Sequence, residues 1–301
     1  MSGWVQIGLR FGLYADLMLL FGLAVYPLHA AHMSLRLRPY WMFAVLAGLG
    51  LVLSAAAFVA MTAEMAGVAI TGLDRETLRF VLVDTAPGGA FLLRMAALAI
   101  LLVLALAVRS GAACWPVAAM AAFALATLAW TGHAAVAEGV WGAIHRLSDA
   151  VHLMAAAAWV GALAMLLGML ASPFDGEAAV ADARLALDRF AVAGSVLVAL
   201  IVATGAINIG MIVGPAALLL LPDTAYGRLL IAKLLLFAAM LAFAGANRWR
   251  LVPKFAAAQS PPDIGKAARA LRTSILLEAG AATIILALVA WLGTLAPPSA
   301  T

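Results

Sequence analysis

Apolar residues run along this chain in blocks of about 20, separated by short polar breaks. A block of that length, wound as helix, crosses a hydrocarbon core of about 30 Å. The pattern predicts spans near residues 11–33, 41–63, 91–108, 115–133, 145–170, 190–213, 228–246 and 273–295. The expected fold is therefore all-α, a polytopic membrane helix bundle of about eight transmembrane helices. The longest breaks, around 64–90 and 247–271, are too short to bury a core of their own. Function is expected within the bundle or at its rims.

Two segments entering the third and seventh spans match. Asp84-Thr85-Ala86-Pro87-Gly88 with Arg94 parallels Asp223-Thr224-Ala225-Tyr226-Gly227 with Lys233, and a basic residue follows at the same offset in both. The match predicts two four-helix repeats, residues 1–140 and 141–301, within one integral membrane unit. Four being even, the halves share an orientation, which makes the repeat a parallel one about an axis along the membrane normal. Aligning Arg10 to Met18 with Arg146 to Met154 sets Asp16 opposite His152. The Asp and Thr of the matched element read as caps for the helix that follows, against a direct part in handling substrate.

Composition strengthens the membrane reading: 66% of residues are apolar and 11% are charged, whereas about a quarter are charged in soluble domains. The net charge of +4 reflects topology. Eleven Lys and Arg, among them Arg36, Arg38, Arg109, Arg248, Arg250 and Lys254, fall on one side of the predicted spans, and seven, including Arg94 and Lys233, on the other. Basic residues are retained on the cytoplasmic side, so both termini are expected outside, in the periplasm of a Gram-negative cell. The positive charge then gives no reason to expect nucleic acid as a partner; the partner it implies is a lipid bilayer. The N-terminus lacks a basic cluster ahead of its apolar run and a small-residue cleavage site, so the first span is not read as a removable signal. Cys114, the single cysteine, excludes a cysteine-pair metal or redox motif.

Candidate chemistry gathers where the fourth and fifth spans meet. His133 ends one, and His145, Asp149 and His152 open the other. On a helix Asp149 lies about 40° and His152 about −20° from His145, so the three form a single stripe. One His with Asp149 as second ligand, or as the acceptor that orients a ring, can hold a metal that His133 approaches from the neighbouring helix. Intramembrane ionisable groups usually face a pathway or one another, although a lone His near an interface is more often an amphipathic residue at headgroup level. Met61, Met65, Met154 and Met211 sit near the outer ends of spans. Thioether sulfur selects Cu(I) and imidazole accepts either copper oxidation state, while most membrane Met simply fills gaps. His29 and His32 near the inner end of the first span read as interface residues or an exit site, and Glu278 as a partner for a rim cation or a relay.

The stretch Gly132-His133-Ala134-Ala135, then His145-Arg146-Leu147-Ser148-Asp149-Ala150-Val151-His152-Leu153 leading to Trp159-Val160-Gly161, resembles the central signature of the CopD/PcoD copper-resistance membrane proteins. Thr224-Ala225-Tyr226-Gly227, Lys233, Asn247-Arg248 and Leu271-Arg272-x-Ser274-Ile275 with Glu278 are similar in order and spacing; before residue 130 the likeness rests mostly on Thr85, Gly88 and Arg94. The resemblance implies an inner-membrane protein of eight spans whose substrate is a copper ion, moved from periplasm to cytoplasm with a small periplasmic CopC-like copper-binding protein as partner. No GxxxxGK[ST] loop is present, and no enzymatic activity is expected. The runner-up is a b-type electron-transfer protein with haem held by His from adjacent helices. A third reading is a structural or chaperone-like subunit that does not transport.

Overall fold

The computed structural model describes residues 3–29, 40–107, 114–131, 139–174, 176–214 and 218–296. Among them every regular element is helical. In chain order these are α1 (Gly3–His29), α2 (Tyr40–Met65), α3 (Arg75–Asp84), α4 (Ala86–Ala107), α5 (Cys114–Ala126), α6 (Gly139–Ala171), α7 (Glu177–Ile212), α8 (Ala225–Ala246), α9 (Val252–Ala257) and α10 (Pro261–Leu292). Seven of the helical segments are long and apolar enough to cross a membrane. The position expected for the fourth span carries a shorter apolar helix, Trp115–Trp130, whose last turn tightens to 3-10 form.

The apolar runs set the spans, and polar sequence then lengthens several of them. α7 starts at Glu177 and α10 at Pro261, each about three turns before its apolar run begins. Ser260 starts α10 by accepting from the Asp263 N–H at 3.4 Å, with Pro261 and Pro262 supplying a backbone already bent for a first turn. α3 occupies the break between the second and third spans, where Asp74 accepts from the Thr77 N–H at 2.8 Å.

Thr85 and Thr224 hold the same place at the starts of α4 and α8. The Thr85 hydroxyl accepts from Gly88 N–H at 3.2 Å and donates to the Val81 carbonyl at 2.6 Å. Thr224 accepts from Gly227 N–H at 3.0 Å and donates to the Leu221 carbonyl at 3.3 Å. A methyl group on Gly88 would stand 2.1 Å from the Val81 carbonyl oxygen, and one on Gly227 1.9 Å from that of Leu221. The Asp-Thr-Ala-x-Gly element is thus a capped corner: Thr ties the helix start to the turn before it, and Gly lets the two backbones touch.

Two apolar cores fill the bundle. Leu17, Leu20, Leu98, Leu101, Leu125 and Leu128 close the first, between α1, α4, the fourth-span helix and α6. Trp159, Leu163, Leu166, Leu187, Leu271 and Ile275 close the second, with Phe255 of α9 plugging one end. α6 contributes to both, and it meets α1 at Gly22 and Gly161. A Cβ on Gly161 would fall 2.2 Å from the Gly22 carbonyl carbon, so the backbones touch there, as small residues permit between membrane helices. The N-terminus of α1 and the C-terminus of α10 lie at one end of the bundle, where the Trp4 and Trp291 rings are 5.6 Å apart. Whereas α2 packs along α4, α7 and α8 enclose a cleft of about 350 Å3.

Candidate functional site

The first turns of α6 carry His145, Ser148, Asp149 and His152, and α7 answers them with Thr204 and Asn208, one turn apart. Ser148 donates to the Thr204 carbonyl at 3.2 Å, His152 Nδ1 lies 3.0 Å from Thr204 Oγ1, and Asn208 Nδ2 donates to Asp149 Oδ1 at 3.2 Å. The His152 ring rests over Gly205, where a Cβ would come 3.4 Å from Cε1. This polar ladder zips two helices along an otherwise apolar stretch of α7.

The ladder favours one tautomer of His152. Thr204 Oγ1 has one proton, and the Leu200 carbonyl oxygen at 2.5 Å receives it. The hydroxyl therefore accepts from His152 Nδ1–H, and the lone pair of the neutral ring stands on Nε2. A metal-ligating imidazole normally has this arrangement, one nitrogen donating to an oxygen and the other free to bind. Lys233 of α8 supplies the nearby positive charge that acts on Asp149 and His152. The negative charge of Asp149 in turn favours the Lys233 ammonium, which would be costly alone in the membrane.

The structure brings Asp149 and His152 onto the same α7 face. His145, one turn before Asp149, is buried at 3% exposure. His133 and His32 lie outside the described residues, as does the side chain of His29. The methionines disperse: Met61 lines a small cavity beside Arg10 and Arg94, Met65 is exposed, Met154 packs against the first core, and Met211 is half-buried on α7. Among the described residues no three His, Cys, Asp or Glu side chains gather closely enough to hold a metal ion.

Three further buried polar groups lie away from this ladder. Glu278 of α10, 1% exposed, accepts from the Asn247 amide at the start of a π-helical turn (Asn247–Leu251) that follows α8. The next residue, Arg248, crosses the cleft to the Ala191 carbonyl at 2.7 Å and to the Ser195 hydroxyl. Asp16 of α1, 4% exposed, has no hydrogen-bond partner on either carboxylate oxygen, and Gly50 of α2 leaves it room. Arg94 of α4, 3% exposed, donates to the Ser54 hydroxyl at 3.2 Å and the Thr127 hydroxyl at 3.3 Å. Thr204 and the two hydroxyls on Arg94 were not evident as partners from sequence. Asn208 did carry a signal, being an amide in an apolar run.

Comparison with known proteins matches residues 1–143 to the family described as "Copper resistance protein D-like, N-terminal domain" and residues 184–292 to "Copper resistance protein D". Copper resistance protein D of Pseudomonas syringae pv. tomato is 38% identical to this chain, over 97% of each. Inner membrane protein YebZ of Escherichia coli (strain K12) is 31% identical, over 99% of this chain and 100% of its own length. No solved structure matches.

Proposed function

The chain belongs to the copper resistance protein D family, and from that premise we propose that copper is its substrate, bound at the termini end of the bundle and moved across the inner membrane. The direction in this reading is periplasm to cytoplasm, with delivery by a periplasmic CopC-like protein. The observation that carries it is His152, whose Nδ1 contact with Thr204 leaves Nε2 available as a ligand on a helix that also bears His145 and Asp149. His145, and His133 from the preceding span, complete the proposed ligand set, and Asp149 supports it. Imidazole suits copper in either oxidation state. Being cargo, copper needs a site that can open, and a set of ligands spread along one helix suits binding that is reversible.

The test is copper content and affinity of detergent-purified protein. The double variant His145→Ala, His152→Ala should lose more than tenfold in affinity, while His29→Ala, His32→Ala should change it little. Full copper binding together with full cellular copper tolerance in the first variant would overturn the proposal. The absorption spectrum of the same preparation addresses haem, since a strong Soret band would replace copper transport with electron transfer.

A further inference from the structure

A second candidate site lies at Tyr14, away from the residues of the α6–α7 ladder. A cavity of about 50 Å3 opens there between α1, α2 and α4, with Gln6, Arg10, Tyr14, Arg94 and Thr131 supplying its polar wall. About 10–15 Å3 of such space holds one water, so the cavity has room for a monatomic ion with some of its hydration. Its charge is one-sided. Arg94 is buried with only hydroxyl partners, Ser54 and Thr127. Arg10 lies flat against α10, where a Cβ on Gly293 would fall 2.1 Å from Nη2, and its buried Nε has no hydrogen-bond partner.

No carboxylate is among the described residues lining the cavity. Glu64 is held outside it by the Gln6 amide and is exposed. Asp149 interacts with Tyr14 but stands with Lys233 and Asn208. Arg10 and Arg94 thus line one small space, and the two hydroxyl dipoles on the buried Arg94 cannot cancel its charge. Buried cations in membrane proteins are ordinarily paired, because an uncompensated one is costly. The donors left to the cavity are the two guanidiniums and the Tyr14 phenol, since the Gln6 amide donates to Glu64 and the Thr131 hydroxyl to the Leu128 carbonyl.

We infer that this cavity binds a small monovalent anion of the chloride type, which serves as the counter-ion to Arg10 and Arg94 and ties α1 to α2 and α4. The ion's place is set by the two guanidiniums, and Tyr14 lines the same wall. This inference does not depend on copper binding.

Chlorine-35 NMR of the detergent-purified protein tests it directly. Bound chloride in exchange with bulk broadens the line, so wild type should give excess width that grows in proportion to protein, falls as added chloride saturates the site and is displaced by bromide. Arg10→Gln and Arg94→Gln should each abolish that excess. Replacing chloride with gluconate at constant ionic strength should also lower the wild-type unfolding midpoint by roughly 2–4 °C, and should leave Arg10→Gln unmoved. The wild-type measurements decide even where Arg94→Gln does not fold. No protein-dependent broadening, or broadening unchanged in Arg10→Gln, would overturn the inference and leave a cavity filled by water.

Discussion

At the scale of one residue, the role of Thr204 can be separated from that of its neighbours by changing one atom. Thr204→Val keeps the shape but removes the acceptor 3.0 Å from His152 Nδ1, so the ring loses what orients it and selects its tautomer. If His152 is a copper ligand, copper affinity should fall about 10–100-fold, the usual cost of losing such an outer partner. Thr204→Ser, which keeps the hydroxyl, should restore most of it. Equal affinity in Thr204→Val and wild type, measured by competition with a copper chelator, would remove Thr204 from the site. His152 was legible in the sequence because imidazole in an apolar helix is rare and had Asp149 on its stripe. Thr204 was not, because a membrane Thr usually satisfies its hydroxyl on its own helix, and Thr204 does that too, through Leu200. Only the facing ring reveals its second role. Asp16 was seen as a position in an alignment, but its isolation depends on which neighbours pack around it, and spacing along a chain does not carry that.

At the scale of elements, the long apolar runs were readable because about 20 such residues have one stable arrangement in a bilayer. The extensions were not. The first turns of α7 and α10, together with α3 and α9, are rich enough in charge and small residues to resemble connecting sequence, and the caps of α3 and α10 become visible only as hydrogen bonds. The matched corners were legible as a motif, and their shared geometry at Thr85 and Thr224 supports the proposal that residues 1–140 and 141–301 are duplicated halves. Equivalent corners should cost the same to break. Thr85→Val and Thr224→Val should each destabilise the protein by about 1 kcal/mol, read as a similar fall in thermal midpoint. A large loss at one and none at the other would argue that the two corners arose separately.

At the scale of the whole molecule, the contact of Trp4 with Trp291 puts both ends of the bundle's chain on one face, as an even number of crossings requires. Which face that is follows in our proposal from the Lys and Arg count, which sets it on the periplasmic side. A reporter that works only in the cytoplasm, fused after Thr301, should be silent; activity there would invert the protein and turn the α6–α7 ladder toward the cell interior. The crossing of α1 and α6 at Gly22 and Gly161 has a mechanical consequence. With backbone against backbone there is no layer of side chains to change rotamer, so sliding of one helix past the other is resisted there more than a tilt about that point. The crossing is a fulcrum, and α6 is a lever with unequal arms. Its longer arm reaches about 33 Å from Gly161 to Gly139, with His152 about 13 Å along it. A tilt of about 5° would carry His152 by about 1 Å and the start of α6 by about 3 Å. Motion is amplified toward the end where the candidate ligands sit and damped at the crossing itself.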